Sequence, residues 1–188
     1  MEQKVFYIKT FGCQMNERDS EIMAQSLASY GYVEGMEIAD SDLVILNTCS
    51  IRAKAEQKVM SLLGYLRKIK ENRPKMKICV AGCVAQQEGE SIIKKMPHVD
   101  LIVGTQNIYN IGSLLDKAGK KGGQVVTDLA DDYDIPRFLP EMSSAAASYN
   151  GGVPSPPSPL DFKRFVTIMQ GCNNYCTYCV VPYTRGRE

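Results

Sequence analysis

Short apolar runs alternate with longer runs of helical periodicity over the first 130 residues of this chain. The apolar runs predict strands at residues 5–10, 42–48, 77–81, 101–103 and 124–127, and the periodic runs predict helices at 16–30, 52–72, 84–95 and 107–118. Residues 43–46 are apolar at four successive positions, which is typical of a strand covered on both faces. The alternation therefore predicts an α/β fold, a parallel sheet with helices on both faces.

The composition is that of a folded chain rather than a disordered or coiled-coil one. Of 188 residues, 44% are hydrophobic and 23% are charged, which is enough apolar surface for a packed core. The net charge is only +1, so any contact with nucleic acid must come from a local patch. The one clear basic cluster, residues 67–77, lies at the end of a predicted helix. A solvated helix end is the favoured interpretation of this cluster, and contact with nucleic-acid phosphates is the alternative.

No segment predicts an association with a membrane. Residues 1–7 alternate charged and apolar side chains, unlike the apolar core of a signal peptide. The longest uncharged stretch, 142–160, is rich in Ser, Ala, Gly and Pro and cannot form a spanning helix. We therefore expect a cytoplasmic protein without a membrane partner.

A change of composition divides the chain into three parts. Six of the nine prolines lie between residues 131 and 160, so this stretch is predicted to be an extended linker after a first domain at 1–130. Residues 165–170 predict one more strand, which leads into a dense cysteine cluster. We interpret 161–188 as the first strand and loop of a second domain that is cut short, and we expect a chain ending at Glu188 not to turn over.

Three of the seven cysteines lie within one short loop. Cys172, Cys176 and Cys179 form a Cys-x-x-x-Cys-x-x-Cys pattern, and three thiolates at this spacing can hold three irons of a four-iron four-sulfur cluster. The fourth iron is then open to a substrate. The alternative is a structural zinc site, but zinc usually takes paired cysteines and four ligands, and the single histidine, His98, is distant.

Three other cysteines each follow a predicted strand and precede a predicted helix. Because the carboxyl ends of parallel strands lie at one edge of a sheet, Cys13, Cys49 and Cys83 are expected to converge there. A second three-thiolate cluster is the favoured interpretation, and three unrelated buried cysteines are the alternative. Cys79 lies inside a strand and is predicted to pack in the core.

Two asparagines flank these cysteine loops. Asn16 is predicted to cap the first helix and Asn47 to occupy a turn, since asparagine favours both positions. Hydrogen bonds from either one to the loop backbone or to cluster sulfur are the weaker alternative.

The cysteine motifs together resemble one family. Residues 171–188 (GCNNYCTYCVVPYTRGRE) are similar to the cluster loop of the radical S-adenosylmethionine methylthiotransferases. Residues 12–16 (GCQMN), 47–52 (NTCSIR) and 82–87 (GCVAQQ) look like the three cysteine motifs of that family's amino-terminal domain. The resemblance covers nearly the whole chain apart from the linker.

The resemblance implies two four-iron four-sulfur clusters and bound S-adenosylmethionine. Cys172, Cys176 and Cys179 would hold the cluster that binds S-adenosylmethionine, and the second triad would hold an auxiliary cluster that is associated with the transferred sulfur. Tyr178 matches an aromatic position near the cofactor adenine, although ordinary packing explains it equally well. Arg185 follows the loop closely and is expected to contact an anionic group of the cofactor or substrate.

The resemblance also implies a substrate. The motifs at 14–16 and 50–52 look like the branch of the family that places a methylthio group on carbon 2 of isopentenylated adenosine in tRNA. This activity needs an electron-donor protein and a sulfur source as partners. The same chemistry on threonylcarbamoyl-adenosine in tRNA or on a ribosomal protein is one alternative, and a zinc-stabilised α/β binding module without catalysis is another.

Overall fold

A computed structural model describes residues 3–51, 53–118, 123–130 and 165–188. The strands are β1 (Lys4–Thr10), β2 (Tyr32–Glu34), β3 (Leu43–Thr48), β4 (Lys77–Gly82), β5 (Leu101–Val103) and β6 (Gln124–Val126). The helices are α1 (Gln14–Ser29), α2 (Ala53–Asn72), α3 (Cys83–Lys95), α4 (Ile111–Lys117) and α5 (Val181–Arg185), with a 3₁₀ turn at Ile108–Asn110. The predicted linker at 131–160 and residues 161–164 lie outside the described residues.

The six strands form one sheet in which every pair of neighbours is parallel, in the order β2-β1-β3-β4-β5-β6. Successive residues of β3 point to opposite faces: Leu43 and Ile45 join one buried apolar cluster, and Val44 and Leu46 join the other. Helix α1 with the 3₁₀ turn and α4 covers the first face, and α2 with α3 covers the second. The predicted α/β fold with helices on both faces is confirmed.

Two short elements differ from the sequence prediction. The pattern gave no sign of β2, which has only three residues and pairs with β1 alone. The predicted helix at 107–118 is divided into the 3₁₀ turn and α4. Both elements are too short to show a clear periodicity, so the sheet neighbour and the local packing determine them.

The strand predicted at 165–170 is wrong, since these residues have no strand structure. Val166 and Ile168 are exposed, and the described residues offer them no neighbouring strand. An extended apolar run becomes a strand only when its backbone pairs with another, so the alternating pattern alone was insufficient. Among the described helices, none is long and apolar enough to cross a membrane.

Candidate metal centre at the carboxyl edge of the sheet

The loops of three cysteines follow neighbouring strands of the sheet. Cys13 comes after β1, Cys49 directly after β3, and Cys83 directly after β4. Strand β3 pairs with β1 on one side and with β4 on the other, and both pairings continue to the carboxyl ends of the strands. The predicted convergence of these loops at one edge of the sheet is therefore seen in the structure.

Two glycines allow these loops to approach one another closely. Gly12 has a φ of 126°, and a Cβ on it would lie 2.1 Å from the Cβ and 2.8 Å from the Sγ of Cys49. Gly82 has a φ of 92°, and its Cβ would lie 2.5 Å from the carbonyl oxygen of Thr48. Any side chain at either position would push the loops apart, so glycine is required there by space and by backbone conformation.

The three thiols are free and differ in their exposure. Cys49 and Cys83 are buried, and Cys13 is half-buried. Burial raises the pKa of the Cys83 thiol, and the neighbouring Arg185 guanidinium opposes that shift through its charge and a hydrogen bond. Thiolates are the ligands that iron-sulfur clusters take, so the chemistry of this edge fits such a group.

The described part of the chain holds no compact set of ligands for a single metal ion. Among the described residues, no three His, Cys, Asp or Glu side chains are grouped so that they could hold one metal ion. A four-iron cluster binds each thiolate at a different iron, so its ligands need not meet at one point.

The side chain of Asn16 joins two of the three loops. Its amide nitrogen donates to the carbonyl oxygens of Phe11 at 3.2 Å and Thr48 at 2.7 Å, and to Oδ1 of Asn47 at 3.2 Å. The Cys13 thiol donates to the amide oxygen of Asn16 at 3.4 Å. Cys13 itself occupies the cap position of α1, so the prediction that Asn16 caps this helix is wrong. Asn16 lies fully buried in the first turn of α1 and fixes the loop backbone.

Asn47 and Thr48 extend this network across β3 to the third loop. Asn47 donates to the carbonyl oxygen of Asn16 at 2.8 Å, and it is a buried strand residue, so the prediction of a turn is wrong. The Thr48 hydroxyl donates to the carbonyl oxygen of Ala81 at 2.6 Å and accepts from the amide of Ala85 at 3.3 Å. All three cysteine loops are therefore connected by buried hydrogen bonds.

The second set of cysteines lies on a loop that closes on itself. The amide of Cys172 donates to the carbonyl oxygen of Gly186 at 3.1 Å, and the amide of Cys179 donates to the carbonyl oxygen of Cys176 at 2.9 Å. Cys176 is exposed, and the other two thiols are half-buried. Tyr175, between the first two cysteines, has a φ of 46°, an uncommon conformation for a residue with a side chain. The loop therefore leaves the Cys176 thiol open to solvent and the other two partly accessible.

The other two predicted site residues have very different surroundings. Tyr178 is 91% exposed, next to Cys179. Arg185 is 3% exposed and faces the amino-terminal domain, where its two terminal nitrogens donate to both carboxylate oxygens of Asp19, at 3.1 and 2.6 Å. One of these nitrogens also lies 3.4 Å from the amide oxygen of Asn16. Arg185 therefore reaches the edge that carries the first cysteine triad.

Sequence reasoning missed Asp19, and it gave the hydrogen bonds of Asn16 to the loop backbone only as the weaker alternative. Both lie on α1 with Ser20 at spacings of three and four residues, which places them on one face of the helix beside Cys13. Such a group of polar residues directly after a candidate ligand could have indicated a polar, inward-facing surface. Burial raises the pKa of Asp19, and the Arg185 charge opposes this shift.

The basic segment is largely used in contacts within the domain. Lys70 pairs with Asp100, and Arg67 lies 3.5 Å from Glu71. Lys77 donates to the carbonyl oxygen of Leu115 at 2.8 Å. These contacts support the interpretation that this segment is the end of α2 and the residues that follow it, with its charges used inside the domain.

The parallel sheet and the three cysteine loops at its carboxyl edge define the class of the protein, an α/β domain that carries thiols at one edge of its sheet. Comparison with known proteins identifies its family. Residues 5–104 match the model of the Uncharacterized protein family UPF0004, so the chain belongs to this family.

Curated relatives match essentially the whole chain. It is 61% identical over 188 residues to the tRNA-2-methylthio-N(6)-dimethylallyladenosine synthase of Desulfotalea psychrophila, covering 100% of this chain and 40% of the relative. The synthases of the same name from Syntrophobacter fumaroxidans and Cereibacter sphaeroides are 46% and 44% identical, with 98% and 100% of this chain and 38% and 39% of the relatives covered. The resemblance to methylthiotransferases is confirmed, and the chain spans about 40% of the length of these relatives.

Replacing Asn16 by alanine should destabilise the domain. The change removes the donor of two backbone carbonyl oxygens, and each buried polar group left unpaired costs about 1–3 kcal/mol, so we expect a loss of roughly 2–4 kcal/mol. Urea unfolding followed by circular dichroism measures it. Asn72→Ala is the matched control, because its exposed amide makes one long bond within its own helix, and we expect a change below about 0.5 kcal/mol. Equal effects of the two substitutions would contradict the role assigned to Asn16.

Proposed function

We propose that this chain is the part of a tRNA methylthiotransferase that holds its two four-iron four-sulfur clusters. The observation that carries the proposal is the connection of three cysteine loops at one sheet edge, in a chain that has a second cysteine triad of different spacing. Two sets of three thiolates leave one iron of each cluster without a protein ligand. A protein with two such open sites can bring two small groups to one substrate.

The exposed loop is assigned to the cluster that binds S-adenosylmethionine. Cys172, Cys176 and Cys179 would be its ligands, and the exposure of Cys176 leaves room for a cofactor at this loop. S-adenosylmethionine bound there supplies the one-electron chemistry at carbon 2 of the adenosine. The exposed ring of Tyr178 is available to stack on the cofactor adenine.

The sheet edge is assigned to the auxiliary cluster. Cys13, Cys49 and Cys83 would be its ligands, and the network around Asn16 holds their loops at a fixed separation. Helices α1 and α3 begin at these loops, so their first backbone amides would be available to an anionic group held there. These residues position the cluster and do not themselves transfer a proton.

The proposed substrate is isopentenylated adenosine in tRNA, and the product is its 2-methylthio derivative. The names of the relatives and the motifs at 14–16 and 50–52 support this choice. An electron-donor protein and a sulfur source are the further partners of the proposal. Threonylcarbamoyl-adenosine and a ribosomal protein are the substrates that the experiment below must separate from it.

Iron and sulfide analysis tests the two clusters. After anaerobic reconstitution we expect about eight irons per chain, and about four when either cysteine triad is replaced by alanine, because each triad holds one cluster. Cys79→Ala is the matched control and should leave the iron content unchanged, since this thiol is fully buried in the core. A colourless protein that binds stoichiometric zinc would contradict the proposal and favour the binding module.

A chimera tests the substrate. Residues 1–188 of this chain are joined to the remaining part of the Desulfotalea psychrophila synthase, and the chimera is incubated with isopentenylated tRNA, threonylcarbamoyl-adenosine tRNA and ribosomal protein. We expect a methylthio group on the isopentenylated tRNA only, detected by mass spectrometry of the nucleosides. The chimera with Cys13, Cys49 and Cys83 replaced by alanine should lose at least about 100-fold in product. Methylthiolation of ribosomal protein alone would refute the proposed substrate.

A further inference from the structure

Helix α5 connects the exposed cysteine loop to the sheet edge. It follows Cys179 after one residue and packs on α3, the helix that begins with Cys83. The hydroxyl of Thr105 donates to the carbonyl oxygen of Thr184, which holds the end of α5 against the loop after β5. Gly186 then turns the chain with a φ of 82°, where a Cβ would lie 2.6 Å from Nε2 of Gln106. The last turn of α5 is therefore fixed against the amino-terminal domain.

Arg185 is the side chain that this docking inserts beneath the sheet edge. Its side chain is 3% exposed and that of Asp19 is 7% exposed, so the pair lies in surroundings from which water is excluded. Both carboxylate oxygens accept from the guanidinium, which fixes its plane. Burial lowers the pKa of this guanidinium, but its interactions with the Asp19 carboxylate and the Cys83 thiol raise the pKa by more, so it stays well above its ordinary value. Arg185 is therefore charged at every accessible pH.

The guanidinium is linked to a second cysteine through Asn16. The amide oxygen of Asn16 lies 3.4 Å from a terminal nitrogen of Arg185 and accepts from the Cys13 thiol, also at 3.4 Å. When Cys13 binds a metal as thiolate it no longer donates, and this amide oxygen is left to the guanidinium. The Arg185 charge thus acts on the Cys83 thiol directly and is linked to the Cys13 thiol through one buried amide.

We propose that Arg185 is a positioning residue of the auxiliary centre formed by Cys13, Cys49 and Cys83, where it is held by Asp19 and raises the reduction potential of the cluster. This inference rests on the proposed function, and it assigns Arg185 to the first triad in place of the S-adenosylmethionine contact expected from the sequence. A cluster with thiolate ligands becomes more negative when it gains an electron. A nearby fixed positive charge therefore stabilises the reduced form more than the oxidised form.

The pair also explains why an arginine stands at this position. The planar fork satisfies both oxygens of Asp19 and still offers donors to Asn16 and Cys83, which a lysine ammonium cannot do with one point charge. Asp19 has the opposite effect on the cluster, because its negative charge disfavours reduction. Since the Arg185 charge acts on the Cys83 thiol more strongly than the Asp19 charge does, and Arg185 also donates to Asn16, the effect of Arg185 is the larger.

Redox titration of the auxiliary cluster tests the proposal. The full chain with Cys172, Cys176 and Cys179 replaced by alanine is reconstituted anaerobically, and its midpoint potential is measured by electron paramagnetic resonance during reduction. We expect Arg185→Met to lower and Asp19→Asn to raise the ratio of reduced to oxidised cluster at a fixed potential. The change for Arg185→Met should be about tenfold, which corresponds to ~59 mV for a one-electron couple, and the opposite change for Asp19→Asn should be smaller.

Two further variants separate this electrostatic role from simple docking. The double variant Arg185→Met with Asp19→Asn leaves no unpaired buried charge, so it should fold even where Arg185→Met does not. The midpoint potential of its cluster should lie below that of the protein in which Arg185 and Asp19 are both present. Asp100→Asn changes a partly buried ion pair at the opposite end of the strands and should leave the potential unchanged.

A lower midpoint potential for Arg185→Met together with a higher one for Asp19→Asn would support the proposal, and the reverse pair of shifts would contradict it. Unchanged potentials, or shifts of the same sign in both variants, would overturn it and leave Arg185 a docking residue only. If the chain with only the first triad binds no iron at all, the proposed function fails, and this inference fails with it.

Discussion

The buried amide of Asn16 is the interaction on which the arrangement of the cysteine loops depends. A buried amide is costly unless its donors and acceptors are paired, and here the pairing partners belong to the loops after β1 and β3. Any displacement of one loop relative to the other would break these bonds. Asn47 and Thr48 carry the same constraint to the loop after β4. The thiols are therefore placed by a rigid polar layer directly above the apolar core.

The two cysteine triads have different physical surroundings, and these match the two roles proposed for them. The first triad lies at the ends of packed strands and the starts of helices, and two of its thiols are buried. The second lies on an exposed loop whose backbone is closed by the bond from Cys172 to Gly186. A centre that must accept a cofactor from solvent needs the second environment, and one that must hold a sulfur atom for transfer benefits from the first. Arg185 follows the second triad in the sequence, but its side chain contacts Asp19 and Asn16 beside the first triad.

Local patterns were sufficient to predict the fold and the positions of the cysteine loops. The apolar run at 43–46 indicated a buried strand, and the order strand, cysteine, helix repeated three times indicated one edge of a parallel sheet. Hydrogen bonds from Asn16 and Asn47 to the loop backbone were only the weaker alternative, because residue preference at helix ends favours a cap and the actual partners come from another loop. Arg185 and Asp19 are separated by 166 positions, and no periodicity reports a contact of that kind. Likewise, residues 165–170 need a neighbouring strand to pair with, and their own sequence pattern does not show whether one is there.

Anomalous X-ray scattering at the iron edge, recorded from crystals of the anaerobically reconstituted chain, tests the central claim most directly. The account predicts two separate iron sites, one bonded to Cys13, Cys49 and Cys83 at the sheet edge and one bonded to Cys172, Cys176 and Cys179 in the exposed loop. A single iron site, or a signal at the zinc edge in place of iron at either triad, would contradict it.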